Sequence, residues 1–134
     1  MKGLVLMVES TLDFYLQTRT LFPDLTERAD REHVKYWGES PDAIADSYIW
    51  FNAVASALNN AMCQGAYVQE SRAFFVYVIT VLAQCGEPVR TCIDVSLVEN
   101  LFWQVSPTKA GPYWAVLPSQ LQNLYLGFHR DAPV

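Results

Sequence analysis

Charge is scarce in the middle of this chain. Across residues 47–86 only Glu70 and Arg72 carry one, whereas residues 1–46 hold five Lys/Arg against nine Asp/Glu and residues 87–134 hold three against four. A stretch that long without charge predicts the buried middle of a folded domain. Long apolar runs are missing too. The longest, residues 73–83, spans about 11 residues, against the ~20 that a helix needs to cross a bilayer. The short apolar start at Met1–Val8 is followed at once by Glu9 and Asp13 without a small-residue cleavage site. It does not read as a secretory signal, and the expectation is a soluble, cytoplasmic protein with no membrane partner.

Cysteine and histidine are sparse. Cys63, Cys85 and Cys92 are odd in number and stand in no CxxC spacing, which argues against a disulfide framework or a zinc cluster and for a reducing compartment. Each lies among apolar neighbours and reads as a small core residue. Of the two histidines, His33 stands three residues after Asp30. A catalytic metal usually takes three protein ligands, and no second ligating pair is present, so His33 reads as a rim residue. His129 falls in what reads as a frayed tail. No GxSxG, GxxxxGK[ST] or GxGxxG occurs, so neither a nucleophile elbow nor a phosphate-binding loop is expected. The expectation is a protein without catalytic residues, metal or cofactor.

The formal net charge is −5 and the pI about 4.8. Such a surface disfavours nucleic-acid phosphates and anionic lipid. It suits simple solubility or a basic protein partner.

What is present suffices for one domain spanning residues 1–134, since 51% of residues are apolar and 13% aromatic. Helical periodicity and Gly/Pro punctuation divide it into five or six helices. The first covers residues 4–20, although 4–8 also suits a short strand. The second starts at Asp24, with Asp24–Arg28, Glu27–Arg31 and Arg28–Glu32 as i,i+4 pairs, and ends at Gly38. Ser40-Pro41-Asp42 predicts the N-terminus of a third, running to Gln64, with Ile44, Tyr48, Phe51, Ala55, Leu58 and Met62 as its buried stripe. A fourth covers 69–84, where a central strand competes because of its β-branched residues. A fifth opens at Glu87-Pro88 and reaches Phe102. Residues 106–112, with two prolines and a glycine, read as a loop packed down by Trp103, Tyr113 and Trp114. A short helix after Leu117-Pro118 closes the chain. The fold class is an all-α bundle with helices three and four as its buried central hairpin.

Acidic residues are the richest candidate class. Glu27, Asp30, Glu32, Glu39, Asp42 and Asp46 crowd between positions 24 and 46. They form either a solvated face or a docking face on which charge complementarity selects a basic partner. Tyr36 and Trp37 stand beside them, as interface anchors or as the lid of the core.

Three segments carry a family likeness: Phe22-Pro23-Asp24-Leu25, the run from Asp94 to Leu101, and Leu117-Pro118-x-x-Leu121-x-x-Leu124-Tyr125. Over the 22–25 turn and about the last 45 residues, the chain resembles small helical immunity-type proteins found beside bacterial polymorphic toxins. The resemblance implies a non-enzymatic protein that blocks one cognate toxin, and it transfers no binding residue. The expected function is therefore an acidic binding module that neutralises a basic toxin domain. The alternatives are a homodimer using an apolar face of the fourth helix, or a small-ligand binder with a pocket lined by Tyr48, Trp50 and Tyr77.

Overall fold

A computed structural model describes residues 7–134. Among these residues there are eight α-helices, one π-helical and one 3-10 segment, and no strand. Helix α1 spans Thr11–Leu21. Its N-cap is Ser10, whose hydroxyl accepts from Asp13 N at 3.0 Å, and Asp13 accepts in return from Glu9 N at 3.3 Å. This cap sets the start, so the helix does not reach back over the preceding apolar residues. Of the residues expected to begin it, 4–6 lie outside the described residues, while Met7 and Val8 are non-helical.

Helix α2, Pro23–Trp37, stops where Gly38 turns left-handed (φ +84°) and its N–H returns to Val34 O. Its acid–base pairing differs from expectation. Glu27–Arg31 forms, but Arg28 reaches across to Glu70 and lies 4.0 Å over the Tyr67 ring. The expected third helix is broken in two: α3, Ala43–Asp46, and α4, Trp50–Gln64. The cap is Asp42 rather than Ser40. Its carboxylate accepts from Ile44 N and Ala45 N at 3.0 and 2.9 Å, while Asp46 accepts from Asp42 N at 2.8 Å. A turn at residues 47–49 resets the helix axis, and Ile44, expected in the core stripe, is exposed.

Gly65 (φ +66°) ends α4. Helix α5, Val68–Leu82, follows directly, so the β-branched run folds as helix under tertiary control. The next expected helix also divides, into α6 (Glu87–Thr91), the π-helical Cys92–Leu97 and the 3-10 turn Val98–Asn100. The expected loop is instead α7, Pro107–Val116. Ser106 caps it, Pro107 occupies a first-turn position where no N–H is needed, and Pro112 is exposed. Helix α8 is Ser119–His129. Two broken helices and one folded loop explain why eight replace five or six.

Helix α4 is the centre of the molecule. It packs more extensively on α2 than on α5, so the central pair is α2–α4, not the expected α4–α5 hairpin. Phe14 stacks on Phe51 with ring centroids 4.1 Å apart, and Trp50 meets Tyr15 edge-on at 4.9 Å. Each such buried ring stabilises the fold by roughly 2–3 kcal/mol through burial. At the other end Phe102, Trp114 and Tyr125 pack edge to face. His129 stacks on Tyr125 at 4.1 Å, with Nε2 2.9 Å from Glu99 O. The end of α8 is thus held, not frayed as expected. Among the described residues no helix is long and apolar enough to cross a membrane.

Candidate functional site

Helix α2 presents two faces of different character. On one, Arg19 pairs with both oxygens of Asp30 at 2.9 Å. Trp50 Nε1 donates to Asp30 Oδ1 at 2.9 Å. The guanidinium lies 5.1 Å from the Tyr15 ring centre and 5.7 Å from that of Trp50. Asp30 is therefore occupied by the fold, although it stands among the candidate docking acids.

On the other face lies a cleft of about 530 Å³ between α2, α4 and residues 100–103. Residues 32, 33, 36 and 37 are one turn apart on α2, so Glu32, His33, Tyr36 and Trp37 all reach it. Asn52, Ser56 and Asn59 line it from α4 at helical spacing. Trp103 stands across from them. Tyr36, Trp37 and Trp103 are 80%, 53% and 70% exposed. Tyr36 and Trp37 therefore form no lid on the core, and Trp103 does not pack α7 down. Tyr113 does, its hydroxyl donating to Ala66 O at 2.7 Å.

Trp103 is held outward by strained backbone. Phe102 and Gln104, on either side, are left-handed at φ +67° and +57°. Such non-glycine conformations cost about 1–3 kcal/mol each and persist only where neighbours enforce them. The enforcer is Asn59. Its Nδ2 donates to Asn100 O at 2.8 Å and its Oδ1 accepts from Phe102 N at 2.7 Å. A second amide, Asn52, accepts from Asn100 Nδ2 at 3.0 Å and lies 2.9 Å from the Ser96 hydroxyl. Ser96 belongs to the π-helical segment, so the wide turn delivers a donor to the cleft's floor.

The electrostatics are one-sided. Lys35 meets Glu32 at 3.0 Å, with side chains 71% and 20% exposed. Between Lys35 and Arg72 the chain has no Lys or Arg, but it has Glu39, Asp42, Asp46 and Glu70. His33 is buried, not at the rim as expected. Its Nε2 is 3.7 Å from Asp46 Oδ2, and its Nδ1 has no hydrogen-bond partner among the described residues.

Of the candidate residues, the structure gathers Glu32, Tyr36 and Trp37 in the cleft. Glu27 faces outward and meets Arg31 at 3.8 Å, with both side chains mostly exposed. Glu39 is exposed, and Asp42 and Asp46 hold the start of α3. Sequence reasoning missed Trp103, Asn52, Asn59 and Asn100. The polar i, i+4, i+7 stripe of Asn52, Ser56 and Asn59 on an otherwise apolar helix was the available signal. Trp50 and Tyr77, expected to line a pocket, are packed into the core.

Buried ionisable groups elsewhere serve packing. Burial pushes the Cys92 thiol up to about 12. It does the same to the Tyr77 phenol, also to about 12, against a weaker lowering by the Thr18 hydrogen bond. Cys85 is half-buried and Cys63 is exposed, the latter against the core role expected of it. Among the described residues no three His, Cys, Asp or Glu side chains come together as a metal site.

A family model described as a domain of unknown function, DUF7674, matches residues 16–131, and the chain belongs to that family. The match takes in every residue named at the cleft. No curated protein and no solved structure matches the chain.

Proposed function

We propose that this chain is a non-enzymatic protein-binding module of the immunity type. It would act in the bacterial cytoplasm and neutralise a basic toxin domain by gripping it at the α2–α4 cleft. One observation carries this reading: Tyr36, Trp37 and Trp103 are all largely exposed around a single cleft. Exposed aromatic side chains gathered at one place are the usual anchors of a protein interface. The excess of acid along residues 36–71 supports a basic partner by steering its approach.

The test is co-expression with the product of the neighbouring reading frame. The reading expects a stoichiometric complex and relief of that product's toxicity. Trp37→Ala and Trp103→Ala should each weaken the complex by about 2 kcal/mol, roughly thirtyfold. A complex that both variants leave intact would place the interface elsewhere. Light scattering that finds a dimer blocked by the same variants would instead assign the cleft to a second copy of this chain.

A further inference from the structure

We infer that the cleft is a site for one arginine side chain, its guanidinium held against the Trp37 and Trp103 rings with Glu32 as counter-ion. The inference rests on the protein-binding reading above and names what the partner inserts.

The molecule carries its own precedent. Asp30 and Glu32 are two residues apart, so they point to nearly opposite sides of α2. On the Asp30 side, a carboxylate, an indole and a phenol enclose the guanidinium of Arg19. On the Glu32 side the same three group types recur as Glu32, Trp37 and Tyr36, with Trp103 facing them across the cleft. What differs is the cation. Lys35 meets Glu32 from the next turn, but it is 71% exposed. An exposed i,i+3 pair contributes little and yields readily to a better partner. Glu32 itself is only 20% exposed, so a cation brought to it acts in reduced dielectric.

The unused groups select for a donor-rich, planar cation. Aromatic faces attract positive charge. His33 lines the same cleft and keeps Nδ1 without a partner; with its proton on Nε2, toward Asp46, that atom is an acceptor. A guanidinium stacks on rings and forks onto a carboxylate at once, whereas an ammonium is a compact, strongly hydrated point charge. An anionic ligand meets no free cation here, because Lys35 is paired with Glu32.

The probe is Nα-acetyl-arginine amide, titrated into the full chain while the indole N–H signals of its four tryptophans are followed. Trp37 and Trp103 should shift, and Trp50 and Trp114 should not. The citrulline equivalent, which keeps the shape without the charge, should leave all four unmoved. Trp103→Ala and Glu32→Gln, both at sites the core does not need, should weaken arginine binding roughly fivefold or more. Equal responses to arginine and citrulline, shifts confined to Trp50 and Trp114, or no shift at all would overturn the inference. The two readings can fail separately. If arginine does not bind but Trp37→Ala still breaks the toxin complex, the arginine site falls and the interface stands. If arginine binds as described while the complex tolerates both tryptophan variants, the interface falls and the arginine site stands.

Discussion

The two sides of α2 hold similar side chains to opposite ends. Around Asp30 every polar group is matched and the rings are covered, so the cluster contributes to folding. Around Glu32 the rings are open, His33 Nδ1 lacks a partner, and the facing segment is held in a strained shape. The difference teaches that residue type does not separate structure from recognition in this chain. Completeness of the surrounding shell does.

The sharpest way to break this comparison is to truncate one tryptophan on each side. Trp50→Ala should destabilise the protein by about 3–5 kcal/mol, because it empties core volume and leaves Asp30 short of a donor. Trp103→Ala should stay within about 0.5 kcal/mol of the parent, since its ring is already in water. Urea unfolding of both variants checks this. Similar losses would mean that the open side supports the fold as well.

Alkali tests the covered side next. The Cys92 thiol and Tyr77 phenol are raised from ordinary values of 9.0 and 10.0 to about 12 by burial. Both are neutral when protonated. As pH rises the unfolded chain releases these protons first, so the folded state binds more of them and loses stability. Their contribution is complete below about pH 9 and is lost progressively up to about pH 12. At pH 11 the loss should be roughly 4 kcal/mol, at ~1.4 kcal/mol per unit for each group. Urea midpoints measured from pH 8 to 11 would show the decline, and Cys92→Val should flatten it. The cleft should contribute nothing to the slope, so Glu32→Gln should leave it unchanged.

The open side has its own weak point. Asn59→Ala strands Phe102 N–H and Asn100 C=O, and it should cost about 2–3 kcal/mol. It should also release the left-handed pair around Trp103, seen as faster amide exchange at Phe102 and Val105. Parent-like exchange there would mean that the backbone holds its shape without the clamp.

Much of this architecture was legible in advance, and the failures have physical causes. Gly38 and Gly65 marked helix ends because both positions require φ near +60–85°, which glycine adopts without strain. The break at residues 47–49 was hidden because Ser40-Pro41 is as good a local start as Asp42, and only the hydrogen bonds of Asp42 and Asp46 decide between them. Helix α7 was hidden because proline at a first turn and an exposed proline further on both mimic loop punctuation, while burial of Ala110 and Tyr113 favours helix. At the cleft, Glu32, Tyr36 and Trp37 were visible as a local cluster. Trp103 was not, since its place depends on Asn59, more than forty residues earlier, and on left-handed backbone that Phe and Gln do not announce.

The π-helical Cys92–Leu97 makes chain length itself a functional quantity. A π turn holds one residue more than an α turn spans. Deleting any one residue there would let the segment relax to ordinary helix, and everything beyond would swing by about 100° around the axis. Asn100 would leave Asn59, and Trp103 would point away from α2. Every apolar side chain of the cleft would still be encoded, yet the cleft would not exist. A single-codon gap at this one turn would therefore separate members of the family that share the pocket from members that share only the bundle.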